Sequence, residues 1–253
     1  MKVNRTTKRT IEILELIASS SEDLTLNDIA TKLEMPKTSA FDILETLVAL
    51  NMLYIKEHRL KTYAIGVKAY AIGNNYSKTS LLLNSAAPLL KELSQQTGLT
   101  MFVAKVNNDH LIYTLKSEPA KRIIATPEIG DQGYLHSTAM GKAILAFSNN
   151  QEDLLGKLDL VPLTSRTITT KVALKNELMS IKSKGYATCN RENEEHTVAI
   201  AAPIFDYNGI VSSAIGGMGL YMEDYQSERD IKLIKETAYK ISRSLGYVGP
   251  YHI

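Results

Sequence analysis

Residues 28–47, DIATKLEMPKTSAFDILETL, predict two short helices separated by a tight bend that ends at Pro36. Pro36 has no backbone N–H to continue the first helix, but its restricted φ suits the start of the second. Thr25 and Asp28 have the Ser/Thr-x-x-acid spacing of a capping box that would begin the first helix. The pair is therefore either a DNA-reading helix-turn-helix or two core helices that resemble one.

The segments on either side of this pair complete a small domain. Before it, TTKRTIEILELIAS predicts a helix with a cap at Thr6 or Thr7 and an apolar stripe of Ile11, Leu14, Ile17 and Ala18. After it, residues 52–56 and 60–65 predict two strands around a Glu-His-Arg turn. Three helices and a hairpin are the layout of a winged helix-turn-helix. We assign it to residues 1–66, as a domain for DNA binding and dimerisation.

The second helix of the pair has two different faces. The face that we expect to be buried comprises Ala40, Ile43, Leu44, Leu47 and Leu50. The opposite face begins with small hydrogen-bonding side chains, which fit close to base edges and phosphates. Its candidate DNA-binding residues are Lys37, Thr38, Ser39, Phe41 and Asp42. The candidates for phosphate contacts are the basic residues around the pair, namely Arg5, Lys8, Arg9, Lys56, Arg59 and Lys61.

The formal charge of residues 1–66 is zero, because the nine Lys and Arg residues are balanced by nine Asp and Glu residues. Phosphate neutralisation supplies much of the affinity of a DNA-binding protein, so a neutral monomer would bind weakly. A dimer doubles the basic contacts and reads two half-sites of double-stranded operator DNA. We therefore predict an obligate homodimer or a dimer of dimers.

The remaining residues predict a helical connector, 67–80, and a second domain, 81–250. A helix with Pro88 in its first turn is expected to end at Gly98, and a second helix at Gly185. Several segments predict strands joined as hairpins, and residues 226–245 predict an amphipathic closing helix. Hairpin connections beside helices favour an α+β fold with an antiparallel sheet over a doubly wound parallel sheet.

Composition excludes several classes of protein. With 253 residues, 44% hydrophobic and 22% charged, the chain is an ordinary globular protein with room for two domains. No apolar run approaches the roughly 18 residues of a membrane span, and the N-terminus lacks the apolar segment of a secretion signal. The single cysteine, Cys189, precludes an intrachain disulfide and fits a reducing cytoplasm. The histidines match no metal-binding spacing, so we predict no metal, no cofactor and no membrane partner.

Three downstream stretches resemble, in order and spacing, the effector-binding domain of IclR-type bacterial transcription regulators. They are YLHSTAMGKAILAF, LTSRTITTKVALKNELMSIKSKGYAT and VAIAAPIFDYNGIVSSAIGGMG. The N-terminal residues resemble the winged helix-turn-helix of the same family, including YAIG at the end of the wing. This resemblance covers nearly the whole chain. It implies a GAF-like, profilin-like effector domain behind the DNA-binding domain, in a cytoplasmic regulator that represses or activates a small metabolic operon.

The resemblance also implies where an effector would bind. Family members hold small carboxylates with the two backbone amides before the Gly-Lys pair, here those of Ala139 and Met140. Their polar side chains, an acid, a cysteine and two serines, correspond to Cys189, Ala199, Gly216 and Met218, none of which has the usual identity.

Without those donors, a buried carboxylate would be costly. We therefore expect a larger or more apolar ligand, oriented by main-chain amides and by Thr197 or His136. The alternative is that the pocket binds no effector.

Asp42 departs from the family, which commonly has an arginine at this position of the recognition helix. Its carboxylate would repel phosphate, so it either faces a base, such as a cytosine amino group, or pairs with Lys37 or Arg59.

Two other functions stay open. A GAF-like enzyme is one, but the chain has one cysteine and no assignable Ser-His-Asp set, so we predict no catalytic residues. The other is an oligomerisation module whose helix-turn-helix no longer binds DNA.

Overall fold

A computed structural model describes residues 3–120, 126–221 and 228–251 of the chain. The chain forms two compact units, Met1–Thr79 and Ser80–Ile253. Within the described residues, no helix is both long and apolar enough to cross a membrane. The same residues contain no group of three or more His, Cys, Asp or Glu side chains that could hold a metal ion.

The first unit is a winged helix-turn-helix, as predicted. Its elements are α1 (Arg5–Ser19), β1 (Leu24–Thr25), α2 (Leu26–Lys32), α3 (Lys37–Ala49), β2 (Leu53–Glu57), β3 (Thr62–Ile65) and α4 (Val67–Thr79). The three strands form an antiparallel sheet in the order β1-β3-β2. The helices close over a core that includes Ile13, Ile29, Leu44 and Leu53.

Helix α1 differs from its prediction in both its cap and its buried face. Asn4 begins the helix, because its Oδ1 accepts a hydrogen bond from the Thr7 backbone N–H at 3.0 Å. Ile13 and Ile17 are buried, whereas Ile11 is 49% exposed and Ala18 is also exposed. The predicted stripe was therefore right at Ile17 and at Leu14, which packs against the core, and wrong at its other two positions, because the sequence shows an apolar periodicity but not which side of the helix meets the core.

The bend and the second helix of the pair follow the prediction closely. Thr25 and Asp28 form the capping box of α2, and Glu34 turns the chain with a positive φ of 48°. Pro36 is the residue that precedes the first turn of α3. The apolar face of α3 is buried as expected, except for Leu50, which lies just beyond the helix and is exposed.

The second unit is an α+β domain around one antiparallel sheet, again as predicted. Its elements are α5 (Leu81–Thr97), β4 (Thr100–Asn107), β5 (His110–Ser117), β6 (Gln132–Tyr134), α6 (Ala139–Phe147), α7 (Gln151–Lys157), α8 (Lys171–Lys184), β7 (Ala187–Asn190), β8 (Thr197–Phe205), β9 (Val211–Leu220) and α9 (Glu228–Ser244). The strand order is β6-β5-β4-β9-β8-β7, and every neighbouring pair is antiparallel.

Both faces of this sheet are covered by helices. Alternate residues of a strand point to opposite faces. Phe102 and Ala104 of β4 therefore pack with α6 and α8, whereas Met101 and Val103 pack with α5 and α9. This arrangement buries the beginning of α6 against the centre of the sheet, where the cavity described below lies.

Several local predictions need correction. Pro88 lies in the interior of α5 and not in its first turn, because Ser80 begins the helix. The sequence did not indicate β6 or α7. Gly98 and Gly185 end their helices in the left-handed conformation, as expected. The predicted start of the closing helix at residue 226 lies outside the described residues, and α9 begins at Glu228.

Candidate functional site

Helix α3 presents its first two turns to solvent on the side opposite the core. Lys37, Thr38 and Asp42 are exposed and Ser39 is half-buried. The ring of Phe41 is 42% exposed. The five predicted DNA-reading residues therefore share one accessible helix face.

The carboxylate of Asp42 does not pair with Lys37 or Arg59. Among the described residues, no ion pair within 4.0 Å involves any of these three side chains. The predicted pairing of Asp42 with Lys37 or Arg59 is therefore wrong. The contact with a base stays a prediction.

The turn between β2 and β3, which we call the wing tip (residues 58–61), is held by hydrogen bonds from its backbone to one side chain. The Glu57 carboxylate accepts hydrogen bonds from the backbone N–H groups of Arg59 and Leu60. Arg59 and Lys61 are exposed, and neither forms an ion pair within the described part of the chain. The wing tip therefore offers two cations to an anionic partner.

Lys56 has a different environment from the wing tip. Its Nζ lies 2.6 Å from Asp23 Oδ1, and this hydrogen bond raises the pKa of Lys56. At the other predicted phosphate contacts, Arg5 and Lys8 are exposed and Arg9 is half-buried, and Lys8 Nζ lies 3.4 Å from Glu12 Oε1. Lys56 is thus paired with an acid, whereas Arg59 and Lys61 of the wing tip have no such partner in the described ranges.

The second unit contains a cavity between the beginning of α6 and strands β4, β7, β8 and β9. Its volume, measured as the space open to the centre of a water molecule, is about 20 Å³. A single water needs about 10–15 Å³ on this scale. Seven of the eight predicted effector residues line it: Ala139, Met140, Cys189, Thr197, Ala199, Gly216 and Met218.

His136, the eighth predicted residue, does not line this cavity. Its ring is buried elsewhere, with Nε2 3.0 Å from the Val161 carbonyl oxygen, and burial lowers the pKa of its imidazole. The prediction that His136 orients a ligand is therefore not supported by the geometry.

The start of α6 is held in place by close packing. Thr138 Oγ1 accepts a hydrogen bond from the Gly141 backbone N–H at 3.1 Å and donates one to the Tyr134 carbonyl at 2.7 Å. A Cβ atom at Gly141 would lie 2.5 Å from Leu135 Cα, so only glycine fits there. These contacts fix the start of α6, where Ala139 and Met140 line the cavity.

Met140 explains the missing side chain at Gly216. A Cβ atom at position 216 would lie 2.8 Å from Met140 Cγ and 3.0 Å from Ala201 Cβ. The methionine thus occupies the space that a serine on β9 would need. The cavity wall is correspondingly apolar, and burial raises the pKa of the Cys189 thiol to about 11, so this group is a neutral thiol.

Six residues that line the cavity were not among the predicted effector residues, and three of them, Phe102, Tyr113 and Asn193, lie outside every motif considered above. Phe102 and Tyr113 pack edge to face, with ring centroids 5.1 Å apart. They come from the inner strands β4 and β5, and Asn193 comes from the segment between β7 and β8. No motif marked them, because their proximity depends on strand pairing.

Sequence reasoning also missed a buried charged cluster next to the cavity. Lys142 is fully buried, and its Nζ lies 2.7 Å from Glu192 Oε2 and 3.0 Å from Glu177 Oε1. Burial raises the pKa of Glu192, and the opposing effect of Lys142 is smaller. Thr167 Oγ1 donates to the Glu192 carbonyl at 2.6 Å, which fixes the segment that carries Asn193.

Two family profiles match the chain. The IclR helix-turn-helix domain matches residues 6–54, and the C-terminal domain of the bacterial transcriptional regulator IclR matches residues 75–243. The chain is 31% identical to the HTH-type transcriptional regulator BhcR of Paracoccus denitrificans over 242 residues, which are 94% of this chain and 86% of that protein.

Solved structures agree with these matches. The crystal structure of the Thermotoga maritima IclR has 30% sequence identity and a TM-score of 0.71, covering 96% of this chain and 99% of that one. An IclR homolog from Microbacterium hydrocarbonoxydans, complexed with 4-hydroxybenzoate, shares the fold with a TM-score of 0.80 at 18% identity, covering 95% and 98% of the two chains. The chain therefore belongs to the IclR family and is a DNA-binding bacterial transcription regulator with a ligand-responsive second domain.

Proposed function

We propose that the protein is a cytoplasmic homodimer that reads a partly palindromic operator and releases or binds it in response to a small organic acid. The observation that carries this proposal is the exposed face of α3, whose opposite face packs in the core. Residues 37–42 of this helix enter the major groove of each half-site. Arg59 and Lys61 of the wing tip contact phosphates together with the basic residues of α1. The reduced thiol of Cys189 suits the cytoplasm.

Exposed apolar side chains support the dimer. Helix α4 has no buried residue, and three of its large apolar side chains, those of Val67, Tyr70 and Ile72, are each more than half exposed. Ile11 of α1 is also exposed. Val67 and Tyr70 lie one turn apart on the same side of α4, and a continuous apolar surface of this kind marks an interaction site more often than isolated exposed residues do. We infer that the partner is a second copy of the chain, because it would also supply a second helix α3 to contact the other half-site.

The composition of the cavity supports an effector with an apolar body. Most of its wall is formed by methionine, phenylalanine, isoleucine, alanine and glycine residues around the start of α6. The relative from Microbacterium hydrocarbonoxydans has been crystallised with 4-hydroxybenzoate, an aromatic acid. By analogy, we take an organic acid larger than two or three carbons as the effector of this protein. A coupling of about 1–3 kcal/mol between cavity and DNA would be enough for regulation.

A gel-shift titration tests the DNA-binding part. Full-length protein is titrated onto the DNA upstream of its own gene at several salt concentrations. We expect specific retardation that weakens steeply with salt. Phe41→Ala should change the base preference, while Tyr207→Ala, an exposed aromatic of the second unit, should not. Absence of retardation at every salt concentration, with and without organic acids, would contradict the proposal.

A further inference from the structure

Two backbone N–H groups at the start of α6 have no hydrogen-bond partner in the part of the chain that the structure describes. The first four N–H groups of a helix have no intrahelical acceptor. Here Gly141 and Lys142 donate to the side chain and the carbonyl of Thr138, respectively. The N–H groups of Ala139 and Met140 have no acceptor among the described residues, although these residues are only 2% and 6% exposed. Buried N–H groups are nearly always paired, so these two are available to a ligand or to water.

Tyr113 supplies a third donor at the same cavity. The residue is 3% exposed, and its hydroxyl forms no hydrogen bond within the described part of the chain. Burial raises the pKa of this phenol, so the hydroxyl keeps its proton at neutral pH. Tyr113 lines both the cavity and an outer groove of about 570 Å³. It therefore lies where a ligand would pass from solvent into the cavity.

Asn193 supplies a fourth donor beside Tyr113. Its Oδ1 accepts a hydrogen bond from Ser137 Oγ at 2.8 Å, which leaves the Nδ2 hydrogens without a partner among the described residues. Like Tyr113, Asn193 lines both the cavity and the outer groove. Ser137 lies two residues before α6, so this bond holds Asn193 close to the free N–H groups of the helix.

These four groups are all hydrogen-bond donors, and none of the cavity-lining residues that the structure describes is Lys, Arg or His. Building on the effector part of the proposed function, we propose that Tyr113 and Asn193 determine specificity by donating hydrogen bonds to the carboxylate of a monocarboxylate effector. The helix N-terminus favours this negative charge through its N–H groups and dipole. The apolar body of the effector enters between Met140, Met218 and Phe102. A second charged group on the ligand would meet no polar partner there.

The cavity must widen to admit such a ligand. Its present volume of about 20 Å³ holds about one water, and Met140 and Met218 line it. Methionine side chains are unbranched and rotate readily, so these two can open the space without a change in the strands. Asp131 and Glu194 line the outer groove, but both are exposed, and water screens their charges.

Calorimetric titration of the full-length protein tests the proposal. The probes are benzoate, 4-hydroxybenzoate, 3-methylbutyrate and the neutral analogue benzamide. Tyr113→Phe removes only the hydroxyl and keeps the ring contact with Phe102. Asn193→Asp keeps the acceptor for Ser137 but replaces the donor with a negative charge. Tyr207→Phe, on an exposed ring, is the matched control.

We expect at least one of the acids to bind the wild type. Tyr113→Phe should weaken its binding about tenfold, because a hydrogen bond to a charged group is lost. Asn193→Asp should weaken the binding of the acid more than Tyr113→Phe does, because the aspartate repels the carboxylate. The affinity for benzamide should change little in Asn193→Asp, since benzamide carries no charge to be repelled. The control variant should bind like the wild type.

Other outcomes separate this proposal from the proposed function. If an acid binds but both variants retain its affinity, the roles of Tyr113 and Asn193 are wrong and the effector function stands. If benzamide binds as tightly as the acids, the carboxylate is not what the donors recognise. If none of the probes binds at millimolar concentration, this proposal and the apolar-acid effector both fail, while DNA binding is judged by the gel shift alone.

Discussion

At the scale of single residues, Lys142 has the largest predicted effect on stability. It is fully buried and holds two carboxylates, those of Glu192 and Glu177. Lys142→Met would leave both acids without a cation, which typically costs about 3–5 kcal/mol of unfolding free energy. Urea unfolding measures this loss. Lys157→Met, at an exposed i,i+4 pair, is the control and should change stability little.

The pH dependence of the same variant gives a second check. Burial already raises the pKa of Glu192, and removing Lys142 removes a charge that lowers it. At pH values between the pKa of Glu192 in the unfolded chain and its higher pKa in the folded variant, the folded variant binds a proton that the unfolded chain has released. Its unfolding free energy should therefore rise as pH falls from 7.5 toward 5.5. A Lys142→Met variant that is as stable as the wild type at pH 7.5 would contradict this assignment.

At the scale of elements, the wing tip and β2 should contribute differently to DNA binding. Arg59 has no ion-pair partner among the residues that the structure describes, so Arg59→Ala should weaken binding to all sequences and reduce the slope of log K against log salt by about one per protomer. Lys56 already pairs with Asp23, so Lys56→Ala should reduce the slope less. Anisotropy titrations at several salt concentrations measure both slopes. Equal slopes for the wild type and Arg59→Ala would refute the role of the wing tip.

At the scale of the whole molecule, the apolar surface of α4 predicts the assembly. Tyr70→Glu would replace a ring that is 70% exposed in a single chain with a charged carboxylate. If this face is buried between two copies, the charge must be desolvated, and the dimer should dissociate. Sedimentation velocity measures this change. Tyr207→Glu, at a ring that is 72% exposed in the second unit, is the control that should leave the assembly unchanged. Dimers that persist in Tyr70→Glu at the wild-type dissociation constant would place the interface elsewhere.

The sequence by itself determined the type and order of most helices and strands. Periodic apolar residues, the capping box at Thr25 and the helix-ending glycines are local signals, because each depends on residues within one or two turns. The phase of α1 was not determined in this way. Ile11 and Ile13 are equally apolar, and only the packing of α1 against its unit decides that Ile13 is the buried one.

Only the tertiary structure decided which residues surround the cavity. The resemblance to the family indicated six of its residues, and the need for a further donor added Thr197. Tyr113 and Asn193 come from segments about 80 residues apart, which the strand order brings together. The same holds for Lys142, whose partners Glu177 and Glu192 follow it by 35 and 50 residues. Contacts at such separations carry no periodic signal in the sequence. They exist because one antiparallel sheet and the helices α6 and α8 packed on it bring these side chains to the same part of the fold.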